Sequence, residues 1–174
     1  MAAMSQLQIR YNQEEDRFLL RMNTVAQEEF RFWLTRRFIA LFYPLLNNTL
    51  KSSPEVKKQV APINKEAVMS FQKEKAQSQV QYNTTFEPSP KTYPLGEQPL
   101  LISSASIKEK GENNYLLQLS SPNNQGIDFA LDQNLLHVLT NLIVDALPKT
   151  DWQLIAEKET EAHISSENVS PVLN

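Results

Sequence analysis

The feature that most restricts the fold of this sequence is an alternation of apolar and polar residues near the amino terminus. Apolar side chains occupy every second position over residues 7–11 and again over 18–22, and the acidic run 14–16 separates the two segments. Successive side chains of a β-strand point to opposite faces, so a period of two indicates strands with one buried face. The pattern predicts a β-hairpin over residues 7–22, with its turn at the acidic run.

A long helix is predicted after the hairpin, over residues 25–46. Thr24 and Gln27 fit the capping box that often precedes a helix. At roughly 100° per residue, the apolar side chains form two stripes on opposite sides of this helix. The main face contains Phe30, Leu34, Phe38, Leu41 and Leu45, and the second stripe contains Phe32, Ile39, Tyr43 and Leu46. We therefore expect a sheet under the main face, and another helix or a second subunit over the second stripe.

The middle of the chain is predicted to lie outside this core. Residues 53–82 have a weaker helical pattern, whose thin apolar stripe is Ile63, Ala67 and Phe71. We interpret them as a peripheral helix. Residues 83–99 contain four prolines, which favours an extended connector over the surface.

The carboxy-terminal half repeats the plan of strands followed by a capped helix. Residues 100–131 have the turns and alternation of a β-meander. Asp132 is placed to cap a helix over 133–147, which Pro148 ends. Because a hairpin and a capped helix also occupy 7–46, the two halves are candidates for pseudo-symmetric units.

These elements predict an α+β fold, with one antiparallel sheet of about five strands and two main helices packed on one face. Residues 1–155 form a single domain in this prediction. Its parts are 7–50, 53–82, 83–99 and 100–155. The polar, acidic residues 156–174 are expected to be a disordered tail.

The composition argues against several classes of function. The chain has no cysteine, which excludes disulfides, thiolate metal sites and cysteine nucleophiles. Its three glycines form no phosphate-binding loop, and its two histidines, His137 and His163, have no partners spaced for a metal. No apolar run approaches the ~20 residues of a membrane span. We predict a cytoplasmic protein without cofactor, metal or catalytic site.

The arginines are the main candidates for binding residues. All six lie between Arg10 and Arg37, and residues 1–83 contain 12 Lys or Arg against 8 Asp or Glu, whereas residues 84–174 contain 5 against 12. Arg10, Arg21, Arg36 and Arg37 are candidates to bind phosphate or carboxylate groups. The simpler interpretation is ion pairing with acidic residues of the same segment. Arg37 is predicted to lie within the apolar helix face, where it would need a partner or a path to solvent.

Two functions are compatible with these patterns, and a third, an enzyme or small-ligand binder centred on Arg37, ranks below them. The first is a non-enzymatic protein–protein interaction module, a homodimer or a subunit of a larger assembly, that uses Phe32, Ile39, Tyr43 and Leu46 as its interface. The alternative is an accessory nucleic-acid-binding protein that uses the surface of Arg10, Arg21 and Arg36. The sequence pI of about 5.5 favours the first, because dedicated nucleic-acid-binding domains tend to be basic.

Overall fold

The computed structural model describes residues 4–59, 62–79 and 92–153. The first half of the chain is a three-stranded antiparallel meander that leads directly into a helix. Its elements are β1 (Met4–Asn12), β2 (Arg17–Thr24), β3 (Glu29–Thr35) and α1 (Arg36–Lys51). The hairpin predicted over residues 7–22 is confirmed by the antiparallel pairing of β1 with β2. The apolar side chains of β1, β2 and β3 alternate along each strand and lie on one buried face: Leu7, Ile9, Phe18, Leu20, Met22, Phe30, Phe32 and Leu34.

The prediction of a helix over residues 25–35 was wrong, because residues 29–35 form β3. Thr24 does act as a hydrogen-bond acceptor, but its Oγ1 receives the Glu28 N–H at 3.2 Å within the turn between β2 and β3. The helix begins at Arg36, where Thr35 Oγ1 accepts the Phe38 N–H at 3.2 Å. The spacing of Phe30, Phe32 and Leu34 fits a strand as well as a helix. The strand forms because its backbone pairs with that of β2.

The segment between the two halves supplies two helices and an edge strand. These are α2 (Pro54–Lys57), α3 (Pro62–Gln79) and β4 (Leu100–Leu101). Strand β4 pairs in parallel with β3 and completes a first sheet of order β1-β2-β3-β4. The apolar stripe predicted to anchor α3 is not its packed side, since Ile63 is 74% and Phe71 is 66% exposed.

The second half repeats the arrangement of the first. Its elements are β5 (Ser104–Glu109), β6 (Asn114–Ser120), β7 (Gly126–Asp132), α4 (Gln133–Ala146) and a 3-10 turn at Leu147–Lys149. The three strands form a second antiparallel sheet. The predicted cap is confirmed: Asp132 Oδ1 accepts the Leu135 N–H at 2.8 Å.

The fold is α+β as predicted, but the single sheet of five strands was wrong. The described residues form two sheets, of four and three strands. The chain leaves the first sheet between two consecutive residues: Ile102 N donates to Trp33 O at 3.1 Å, whereas Ser103 N donates to Ser120 O at 2.9 Å. The buried faces of the two sheets meet at Phe129, whose ring lies 5.6 Å from that of Phe30 and 6.2 Å from that of Phe32.

The helix of each half packs against strands of both halves. Helix α1 contacts β3 of its own half and β5 of the other, and α4 contacts β7 of its own half and β1 of the other. The helices also contact each other. The plan of three strands and a capped helix therefore occurs twice around a shared core. The tail predicted over 156–174 lies outside the described residues. Within those residues, no helix is long and apolar enough to cross a membrane.

Candidate functional site: the outer face of the first sheet

The side of the first sheet that points away from the core carries arginines around a row of large apolar residues. These side chains occupy the strand positions between the buried ones. We call this surface the arginine face, and it consists of Arg10, Arg17, Leu19, Arg21, Arg31, Trp33 and Leu101. Four of the six arginines of the protein lie on it.

An apolar row crosses three strands at the centre of the arginine face. Leu19 is paired with Trp33 across β2 and β3, and Trp33 is paired with Leu101 across β3 and β4. Side chains in such cross-strand positions are in contact distance of one another. Leu101 is 39% exposed, and the guanidinium of Arg17 lies 5.5 Å from the centre of the Trp33 ring. The Trp33 ring is half-buried, and it thus has a cation over it and a leucine on either side across the strands.

A buried carboxylate holds two of the arginines in place. Arg21 Nε and Nη2 each lie 2.8 Å from Glu29 Oε1, and Arg31 Nε lies 2.7 Å from the same oxygen. Glu29 is only 1% exposed. Burial alone would raise the pKa of Glu29, but hydrogen bonds from Arg31 and Arg21, together with their charges, lower that pKa below its ordinary value. Glu29 therefore binds two guanidinium groups at once.

Arg31 also fixes the connector beside the sheet. Its Nη1 donates to the Glu97 backbone oxygen at 3.0 Å, and its Nη2 donates to the Tyr93 hydroxyl at 3.2 Å. The guanidinium lies 4.7 Å from the centre of the Tyr93 ring. Tyr93 is therefore a second aromatic residue at the border of the arginine face.

The predicted binding arginines are divided between this face and the start of α1. Arg10 is exposed on the arginine face and makes no ion pair within the described residues. Arg21 is paired with Glu29 there, as the simpler interpretation predicted. Arg36 and Arg37 are exposed in the first turn of α1. Arg37 was wrongly placed in an apolar helix face, because the helix starts later and buries Phe38, Ile39 and Phe42 instead.

The interface predicted from the second stripe was wrong. Phe32 lies on β3, and Ile39, Tyr43 and Leu46 lie on α1. Phe32, Ile39 and Leu46 are fully buried in the core of their own chain, and Tyr43 is half-buried. Phe32, Ile39 and Leu46 cannot contact a second subunit in this fold, because they are buried within their own chain.

Sequence reasoning missed Leu19 and Trp33, although one signal for them was present. Both are apolar residues at positions of their strands where the alternation calls for a polar one. The helix predicted over residues 25–46 contains Trp33, so the cross-strand pair of Trp33 with Leu19 was not predicted. An apolar residue on the polar side of a predicted strand is the pattern that would have indicated an exposed binding residue.

The corresponding face of the second sheet has a different character. It carries Lys108, Leu116 and Ala130 beside serine, glutamine and aspartate side chains, and no aromatic residue points outward from its described strands. Some of its polar side chains bind one another: Ser106 Oγ donates to Gln118 Oε1 at 3.2 Å, and Gln118 Nε2 donates to Asp128 Oδ1 at 3.0 Å. The arginine face is therefore a feature of one half and not a consequence of the repeated architecture.

No family model, curated protein or solved structure is a significant match for this chain. Within the part of the chain that the structure describes, no group of three or more histidine, aspartate or glutamate side chains is placed to hold a metal ion. The arginine face combines charge-assisted hydrogen-bond donors with a row of apolar side chains.

Proposed function

We propose that this protein is a non-enzymatic binding module that docks an acidic protein partner on the arginine face. The observation that carries the proposal is the concentration of arginine, tryptophan and leucine on one outer sheet face, whereas the described strands of the other sheet carry no arginine and no outward-pointing aromatic residue. A cytoplasmic location belongs to the same proposal and is supported by a chain that contains no cysteine.

The residue types on the arginine face support a protein partner. Tryptophan, tyrosine and arginine are the residues most enriched among the energetically dominant positions of protein interfaces. The row of Leu19, Trp33 and Leu101 offers an apolar centre that a partner would cover. The arginines lie around that row, where they would pair with carboxylates and orient the partner.

The charges of the arginine face support an acidic partner. Arg17 is paired with Glu15 at 2.7 Å, and Glu29 is shared by Arg21 and Arg31. Arg10 is exposed and has no ion-pair partner in the described residues, so its guanidinium is available to a carboxylate of a partner. A second copy of the chain is one candidate, because residues 84–174 carry an excess of acidic side chains.

A single-stranded nucleic acid is the second candidate, because Trp33 and Tyr93 lie on a positively charged sheet. Aromatic side chains on a basic surface can stack bases. Two observations place this candidate second: leucines and not further aromatics flank Trp33, and the chain carries a net charge of −3.

The test compares two double charge reversals. Arg10→Glu/Arg17→Glu changes the arginine face, and Lys108→Glu/Lys110→Glu makes the same change in charge on exposed residues of the second sheet and its adjoining turn. Immobilised proteins are used to capture partners from an extract of the source organism. We expect a partner that the wild type and the lysine variant retain and that the arginine variant loses by about tenfold or more.

Equal capture by all three proteins would contradict the proposal. The nucleic-acid candidate is tested by fluorescence anisotropy with single-stranded DNA and RNA. Binding at about 50 mM salt that falls steeply by about 200 mM, and that the arginine variant lacks, would make the nucleic acid the ligand instead. Sedimentation of the same proteins determines whether the partner is a second copy.

A further inference from the structure

A cleft of about 430 Å³ lies between three helices, away from the arginine face. Helix α1 contributes Asn47 and Lys51, α3 contributes Glu66 and Lys73, and α4 contributes His137 and Asn141. No residue of the arginine face lines the cleft. Its volume is within the range of roughly 300–1,000 Å³ that is typical of small-molecule sites.

The floor of the cleft contains a buried polar atom without a partner. His137 lies on α4 and is only 4% exposed. Its Nε2 has no hydrogen-bond partner within the described residues. An imidazole nitrogen that is removed from water and left unbonded destabilises the folded state. A ligand that accepts or donates a hydrogen bond at Nε2 would remove that penalty.

The charges around His137 indicate the kind of ligand. The titratable groups that line the cleft are Lys51, Lys73, Glu66, Tyr43 and His137 itself. Burial lowers the pKa of His137, and the nearby positive charge of Lys73 lowers it further, so the imidazole is neutral at pH 7. Two ammonium groups face one carboxylate, and the cleft therefore favours negative charge.

The remaining lining residues suit a ligand with both polar and apolar parts. Asn47 and Asn141 carry amide donors, one on each of two facing helices. Leu50, Met69 and Val144 add apolar surface on all three helices. A bare inorganic ion would leave this apolar surface unused, whereas an organic anion would cover it.

We infer that the cleft between α1, α3 and α4 binds a small organic anion. Its carboxylate or phosphate group interacts with Lys73 and with His137 in the tautomer that carries hydrogen on Nε2, and its carbon part contacts Leu50, Met69 and Val144. This site is independent of the proposed docking of a protein on the arginine face, because the two share no residue.

The test observes the imidazole of His137 directly by NMR. The chain has only two histidines, and His163→Gln removes the other imidazole signal, so that of His137 can be assigned. The full-length protein is titrated with butyrate and, separately, with inorganic phosphate. We expect saturable shifts of the His137 signals and a rise in its pKa, because a bound anion favours the protonated imidazole.

A matched pair of variants separates specific binding from a general effect of salt. Lys73→Gln removes a cation from the cleft, and Lys108→Gln removes one from the exposed face of the second sheet. We expect Lys73→Gln to weaken binding by about tenfold and Lys108→Gln to leave it unchanged. Lys73 is exposed, so its replacement leaves the core intact.

Four outcomes decide the inference. Saturation by butyrate alone supports a carboxylate ligand, and saturation by phosphate supports a phosphate ester. The absence of a saturable shift with either probe up to about 50 mM would overturn the inference, since that limit includes very weak ligands. Equal affinity of the wild type and Lys73→Gln would overturn it as well.

Discussion

Glu29 is the residue that organises the charged side of the first sheet. It is buried, it accepts hydrogen bonds from Arg21 and Arg31, and those bonds lower its pKa. The ionised form is therefore more stable in the folded protein than in the unfolded chain. This stabilisation is fully present above the unfolded pKa of about 4.5 and is lost as the pH falls through the lower pKa of the folded state.

We predict that Glu29→Gln destabilises the protein by about 2–3 kcal/mol at neutral pH, since two charged hydrogen bonds lose their anionic acceptor. The difference from the wild type should shrink as the pH falls through the acidic range, because the wild type then loses its own carboxylate. Urea unfolding at several pH values measures both effects. Glu109→Gln, at an exposed position, is the control and should have little effect. If the stability lost in Glu29→Gln did not change with pH, the role assigned to the charge of Glu29 would be contradicted.

At the scale of the element, α1 is unusual because cations occupy its first turn. The positive end of a helix dipole lies at its amino terminus, so negative side chains are favoured there and positive ones are disfavoured. Helix α1 begins with Arg36 and Arg37 and has no acidic residue in its first turn. Its amino terminus depends instead on the Thr35 cap.

We predict that Arg37→Glu raises the free energy of unfolding by about 0.5 kcal/mol, because it replaces an unfavourable charge with a favourable one. Lys108→Glu makes the same charge change on an exposed strand and should not stabilise the protein. Thermal or urea unfolding at low salt compares the two variants. If Arg37→Glu destabilises the fold, Arg37 has a structural partner and its exposed placement is wrong.

At the scale of the whole molecule, the two halves depend on one core. Phe129 belongs to the second sheet but packs on Phe30 and Phe32 of the first. Helices α1 and α4 also contact strands of both halves. A substitution that destabilises the core of one half should therefore destabilise the other half as well.

We predict that Phe129→Ala destabilises the protein by about 3–5 kcal/mol and leaves unfolding as a single transition. The two tryptophans report on the first half: Trp33 is in β3, and the Trp152 ring lies 4.8 Å from that of Phe18. The urea midpoint of their fluorescence transition should fall in Phe129→Ala. The midpoint of the far-UV circular dichroism signal, which reports on the whole chain, should fall with it. An unchanged fluorescence midpoint would show that the halves unfold separately. Ala130→Gly, at an exposed position of the same strand, is a control for local strand effects.

Alternation, helical periodicity and capping residues were enough to predict the elements that depend on near neighbours in the chain. The hairpin of β1 and β2 follows from alternation on both sides of a short acidic turn. Helix α4 and its cap follow from one apolar face preceded by Asp132. The pairing of Arg21 with an acidic residue of its own segment was foreseen for the same reason, since Glu29 lies only a few residues away.

Only the tertiary structure decided the features that depend on distant pairing. The spacing of Phe30, Phe32 and Leu34 is compatible with a strand and with part of a helix. Hydrogen bonds to β2 stabilise residues 29–35 as a strand. The same pairing brings Leu19 and Trp33 together on the arginine face, and the packing of α3 on α4 buries His137. Local periodicity cannot predict such arrangements, because the free energy that selects them comes from contacts between segments far apart in the chain.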